Sequence, residues 1–238
     1  MATSGSTDFS VTRDDIIKRA LRLLGVVAQG ETPTTDQTTE AALALNGLVK
    51  AWQADGMPLW AIKSSTITLT TDAATYEIGL GKTVNIPKPL KVIQAYNHST
   101  DSAVDVPMRI ITRQEYNMLG NKTSSGNPIQ IYYQPLNGYG VLSVFPVPTA
   151  TEAADNTLII HYQRPFEDFD AATDTPDFPQ EWYDAITYGL ATRLAPEYGL
   201  GATERKALWQ EMVTIKQEAM GFGTEEGSLY FGVERRSW

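Results

Sequence analysis

Residues 41–70 read AALALNGLVKAWQADGMPLWAIKSSTITLT, and the spacing of their apolar positions changes partway through. Ala41, Leu45, Leu48 and Trp52 recur at helical spacing and make one apolar stripe. Asp55-Gly56 ends that pattern. From Thr66 to Thr70 polar and apolar residues alternate with the period of two of a half-buried strand. A helical stretch that gives way to strand character, with no regular helix–strand alternation, points to an α+β fold.

Upstream of this stretch, Thr12 is placed to cap a helix whose first turn carries Asp14 and Asp15, where the helix dipole favours anions. Ile16, Ala20, Leu23 and Val27 follow at helical spacing beside Ile17, Leu21 and Leu24, and Gly25 and Gly30 mark the exit. Thr34-x-x-Gln37 has capping-box form and opens the second helix. The short connection predicts an antiparallel pair. Downstream, residues 64–70, 75–79, 90–96, 129–134, 141–145 and 157–163 are rich in β-branched and aromatic residues and predict strands. Asn137-Gly138-Tyr139-Gly140 reads as a hairpin loop, and Thr112-x-x-Glu115, closed by Gly120, as a short helix among the strands.

Helical spacing returns near residue 178, with Pro179 suited to a first turn and Tyr183, Ile186, Leu190 and Leu194 on one stripe. Pro196 and Gly199 break it. A last helix starts near Thr203, carries Leu208, Met212, Ile215 and Ala219, and ends at Gly221 and Gly223. Each helix has one apolar stripe and needs a partner, so residues 12–55 and 179–220 are expected to pack together, with Leu45, Trp52, Ile186, Leu190, Leu208 and Ile215 in or near contact. The expected fold is α+β: a helical bundle built from N- and C-terminal helix pairs, an inserted, mainly antiparallel β domain, and an extended C-terminal tail. The expected boundaries are a flexible lead-in over 1–10, a discontinuous bundle over 11–60 and 178–221, a β-rich insertion over 61–177, and a docking tail over 222–238.

Composition narrows the function. With 238 residues, 42% of them apolar, the chain can bury a sizeable core. Cysteine is absent, which excludes disulfides and thiolate chemistry and fits a reducing compartment. No apolar run reaches a membrane span, and MATSGSTDFS has neither the basic stretch nor the apolar core of a secretory signal. Net charge is -9, and no basic patch suits a nucleic-acid grip. The acidity is concentrated: residues 151–181 hold Glu152, Asp155, Glu167, Asp168, Asp170, Asp174, Asp177 and Glu181 against Arg164 alone. Acids this dense cannot be buried unpaired. Glu167, Asp168, Asp170, Asp174 and Asp177 are therefore expected on a surface, either a plain solvated loop or a face that repels DNA or meets a basic partner.

No constellation of catalytic, cofactor-binding or metal-ligating residues emerges. His98, in a stretch that reads as a turn, and His161, in a strand, have no ligand-spaced partner. Residues 168–174 lack the Gly and Glu positions of an EF-hand, and Asp174-Thr175-Pro176-Asp177 is simpler as turn chemistry. Gly79-Leu80-Gly81-Lys82-Thr83 ends like a phosphate loop, but Tyr76 stands where its first glycine belongs. Trp52 and Trp182 fall on apolar helix faces and are assigned to the core. The C-terminal GFGTEEGSLYFGVERRSW is aromatic where termini are usually polar. Phe222, Leu229, Tyr230, Phe231, Val233, Arg235, Arg236 and Trp238 are accordingly candidate partner-interface residues.

Three stretches carry a family resemblance: residues 15–25 with Gly30-Glu31-Thr32-Pro33 and residues 44–52, Asp55-Gly56-Met57-Pro58-Leu59-Trp60, and residues 178–199. Together they resemble the head-to-tail adaptor family of podoviruses, the tail tubular protein A or packaged-DNA stabilisation type. The resemblance implies a non-enzymatic virion protein at the head–tail junction, made in the host bacterial cytoplasm. It implies a ring of twelve copies beneath the portal that helps retain packaged DNA and forms a platform for the tail nozzle. Double-stranded DNA would pass without tight binding, no membrane or cofactor would be involved, and the C-terminal segment would reach onto the portal. Two other readings stay open from the residues alone: another virion module, such as a tail-fibre or capsid-associated protein, and a glycan-acting enzyme whose carboxylates sequence spacing cannot reveal.

Overall fold

The computed structural model describes residues 5–55 and 59–222. In chain order its elements are helices α1 (Arg13–Leu23) and α2 (Thr35–Asp55), a 3-10 turn over Leu59–Ala61, and strands β1 (Ile62–Thr68), β2 (Thr75–Ile78), β3 (Lys91–Ser99), β4 (Asp105–Pro107) and β5 (Arg109–Ile110). They continue as α3 (Arg113–Met118), β6 (Gln130–Pro135), β7 (Gly140–Phe145), α4 (Ala150–Asp155), β8 (Asn156–Gln163), a 3-10 turn over Gln180–Trp182, α5 (Tyr183–Leu194) and α6 (Ala202–Phe222). None of the described helices is long and apolar enough to cross a membrane. The chain divides into two compact units, residues 1–51 with 168–238 and residues 52–167.

Local chemistry fixes the helix ends of the first unit. The Thr12 hydroxyl accepts the Asp15 N–H, and the Asp15 carboxylate accepts the Thr12 N–H at 3.1 Å, a reciprocal capping box. The Thr12 hydroxyl also donates to the Asp15 carboxylate at 2.6 Å, and these bonds from Thr12 hold the Asp15 carboxyl below the usual carboxylate range. At the other end Gly25 takes φ +72°, a left-handed conformation that costs glycine little. Its N–H donates to the Arg22 carbonyl at 3.0 Å and that of Val26 to the Leu21 carbonyl at 3.0 Å, a Schellman closure. Thr34 and Gln37 cap α2 in the same reciprocal way, at 2.9 and 3.3 Å.

Helix α5 is the hub of this unit. Ala185, Ile186, Thr187, Gly189, Leu190, Ala191 and Leu194 are buried along it, and it packs against α1, which buries Ile16, Ile17, Ala20 and Leu21, and against α6. Leu45 is fully buried on α2, and at Gly47 a Cβ would lie 2.9 Å from the Arg193 guanidinium of α5. Helix α6 is less deeply set than α5. Leu208, Met212 and Ile215 on α6 are half-buried, and only Ala219 on that stripe is buried, because α6 lies along α5 with its other faces open. Pro179 stands just outside the 3-10 turn as its cap and not within a first α-helical turn.

The second unit holds two four-stranded sheets, ordered β1-β8-β3-β4 and β2-β7-β6-β5. The strand pairs are antiparallel except β5 with β6. Ile67, Val92, Leu158, Ile160 and Tyr162 from one sheet meet Tyr76, Ile78, Ile131, Leu142 and Val144 from the other in a single core. All six sequence-predicted strands are present, and β4, β5 and α4 are additional. The 97–100 stretch was expected as a turn, but β3 runs through Ser99: Asn97 is buried and pairs with Leu158 on one side and Val106 on the other. His98 sits on this strand with Nδ1 2.7 Å from the Asp105 carboxylate.

The hairpin of β6 and β7 shows why a glycine closes the 137–140 loop. Tyr133 lies over Gly140, where a Cβ would collide with its ring, and its hydroxyl donates to the Pro89 carbonyl at 2.6 Å. Burial pushes the Tyr133 hydroxyl up to about 12.

Two outcomes are expected. Gly140→Ala forces the Tyr133 ring aside and costs about 1–3 kcal/mol in chemical denaturation, as overpacking does. Tyr133→Phe loses one hydrogen bond, about 1 kcal/mol near neutral pH, and also changes the alkaline limb. A hydroxyl with a raised folded-state pKa stabilises fully below the unfolded value of about 10 and loses that contribution as pH rises toward the folded value. The variant should therefore lose stability less steeply than the parent between about pH 10 and 12. Tyr76, Tyr162 and Tyr198, also raised by burial, leave a residual slope.

Candidate functional site

The segment that returns the chain from β8 to α5 carries the acidic residues singled out by charge density. Its backbone is held from inside. Phe169 and Phe178 are 4% and 7% exposed and Pro176 is buried, so the loop is anchored by apolar side chains with polar ones between them. The Asn46 side chain on α2 accepts the Phe169 N–H at 2.9 Å and donates to its carbonyl at 3.2 Å. The Arg13 N–H at the start of α1 donates to the Asp174 carbonyl at 2.8 Å. The loop is thus fixed to two helices of its own unit.

The carboxylates divide by role. The Asp174 carboxylate accepts the N–H groups of Asp170 at 2.8 Å and Ala171 at 2.6 Å, the turn chemistry expected of it. Asp168 pairs with Lys50 at 2.6 Å, an exposed contact worth at most about 1 kcal/mol. Glu167, Asp168 and Asp170 are exposed, and Asp174 and Asp177 half-buried. Arg13, paired with Asp14 at 2.9 Å, reaches the Asp170 carbonyl at 3.4 Å. The result is a mostly negative, hydrated rim over an apolar floor. It can repel phosphate or receive a basic partner. Among the described residues no three His, Asp or Glu side chains converge as a metal site.

The other candidate surface lies mostly beyond the described residues. Leu229, Tyr230, Phe231, Val233, Arg235, Arg236 and Trp238 fall outside them, whereas Phe222 is the last residue of α6, so the helix runs one residue into the stretch expected to be extended tail. Trp52 and Trp182 are buried as expected, at 8% and 6% exposure. Missed from sequence was the open face of α6, where Trp209 is 52% and Met220 39% exposed. Trp209, Val213 and Met220 recur at helical spacing on a second stripe, a signal that was available in the sequence.

No curated protein matches the chain. A family model described as SU10 adaptor protein matches residues 11–228, which takes in α1 through α6 and every strand. With that match over nearly the whole length, the chain belongs to the SU10 adaptor protein family, which makes it a phage structural adaptor and a component of the virion.

Proposed function

We propose that the protein is the head-to-tail adaptor of a short-tailed phage: a ring of twelve copies that binds below the portal, helps retain packaged DNA and provides the platform to which the tail nozzle attaches. The observation that carries this reading is the adaptor family match over residues 11–228. The acidic rim supports it. A channel that conducts DNA works against itself if it binds phosphate, and phosphate contacts dominate nucleic-acid affinity. Glu167, Asp168, Asp170, Asp174 and Asp177 would face the channel or bulk solvent. Residues 222–238 would leave their own subunit and dock on the portal or a neighbouring adaptor copy. Leu229, Tyr230, Phe231 and Trp238 would act as apolar anchors, and Arg235 and Arg236 as partners for acids. Docking repeated around a ring gains strength through effective concentration.

Negative-stain images of the purified protein mixed with its portal should show a twelve-fold ring on one face of the portal, and a chain ending at Phe222 should fold with near-parental stability and fail to join it. Undiminished joining by the shortened chain would remove the docking role of the tail. For the channel, Asp168→Lys with Asp170→Lys is the informative pair, because both carboxylates are exposed while Asp174 holds the turn. Virions carrying both changes should eject DNA more slowly; an unchanged rate would place the loop toward solvent only.

A further inference from the structure

The β unit has four outer strand edges, and they differ in what they offer a fifth strand. On β4 the Ser99 N–H donates to the Val104 carbonyl at 3.0 Å and the Met108 N–H to the Ala95 carbonyl at 2.9 Å. In an antiparallel ladder this alternation turns the backbone groups of Asp105 and Pro107 outward. One is charged and the other has no N–H, so this edge is blunted. Strand β5 is two residues long. The outer edge of β2 is covered, since Val84 N–H donates to the Glu77 carbonyl at 2.9 Å and Gly79 N–H to the Val84 carbonyl at 3.0 Å.

The fourth edge, β1, is different. It runs seven residues, Ile62–Thr68, without proline or bulge, and its one strand neighbour is β8. The Arg164 N–H donates to the Ala61 carbonyl at 3.0 Å. With the register of Ile62 opposite Gln163, the same alternation turns the N–H and C=O groups of Ile62, Ser64, Thr66 and Thr68 away from β8. Among the described residues no backbone group pairs with them. The C-terminal half of this edge, at Thr66 and Thr68, borders a cleft of about 380 Å³ whose lining includes Thr66, Thr68, Thr70, Tyr76, Val84 and Ile86. Tyr76 and Val84, at 2% and 8% exposure, give it an apolar floor, and threonines give it β-branched walls. An open ladder beside an apolar groove is the arrangement that strand addition uses: backbone bonds supply affinity, and alternate side chains fill the groove.

We propose that β1 is a strand-docking site, and that its occupant is the segment Ser228–Val233 of a second copy of this chain. The proposal rests on the reading that residues 222–238 dock outside their own subunit. The occupant is argued from the chain beyond Phe222, residues 223–238. Within it, Ser228-Leu229-Tyr230-Phe231-Gly232-Val233 is its most strand-like run, with Leu229, Phe231 and Val233 at period two. In an added strand those three side chains cover Tyr76, Val84 and Ile86, and Tyr230 stands on the outer face beside Thr66. Residues 223–228 alone reach about 20 Å when extended, at roughly 3.3 Å per residue. Gly223 and Gly227 let the chain bend toward its neighbour.

The natural absence of cysteine makes the test clean. Full-length chains carry Thr66→Cys together with Leu229→Cys, Tyr230→Cys or Phe231→Cys, and are oxidised mildly at assembly concentration. At least one pair should give a ladder of covalent multimers on a non-reducing gel, while the same tail positions combined with Asp105→Cys on the blunted edge give none. Three results would overturn the proposal: thiols that remain free in all three pairs, thiols consumed with the mass still that of one chain, or equal ladders from the Asp105→Cys control. If the thiols remain free while the chain ending at Phe222 still fails to join the portal, the tail docks elsewhere and this inference alone falls. If that shortened chain joins undiminished, the reading beneath it falls too.

Discussion

The side chain of Asn46 grips the backbone of Phe169 from both sides, accepting its N–H and donating to its carbonyl. A chain that leaves its helical unit in α2, builds eight strands and returns must have a fixed point of re-entry, and this amide provides it. Two net hydrogen bonds of about 1 kcal/mol each and the burial of one phenylalanine, about 2 kcal/mol, hold the junction. The return loop then needs no core of its own. Its carboxylates can stay in water because its phenylalanines and backbone are already satisfied beneath them.

Helix starts were legible in the sequence because capping is local chemistry. Thr12 with Asp15, Thr34 with Gln37 and Thr112 with Glu115 all form the reciprocal bonds their spacing announces. The Glu115 carboxyl is accordingly held low by the Thr112 backbone N–H and hydroxyl. The main strands were legible because they carry β-branched, core-facing residues. Strands β4 and β5 were not: every residue in them is exposed, one is a proline, and only their neighbours define them. Helix α4 has its signal in Thr149 and Glu152, but it is only six residues long, three of them alanine, and none is fully buried.

Depth of burial was the less legible quantity. The α6 stripe reads like a core helix, yet Leu208 and Ile215 are only half covered because a single helix, α5, lies alongside. The same limit applied to the acidic loop. Charge density predicted a surface, and Glu167, Asp168 and Asp170 are exposed. Which acid builds the loop depends on where backbone N–H groups converge, and that geometry made Asp174 the structural one. Membership of the adaptor family rests on the pattern of the whole chain and not on any one of these residues.

The stretch from Asp105 to Ile110 belongs to both sheets of the β unit: antiparallel to β3 through β4, parallel to β6 through β5, with Met108 buried at the crossing. In mechanical terms it is a lap joint. Ladder bonds lie across the strands, so a pull along this stretch loads several of them at once in shear, instead of peeling them one after another. The two sheets share that load through one continuous piece of backbone. A force that pulled the two sheets apart would have to break this shear-loaded joint.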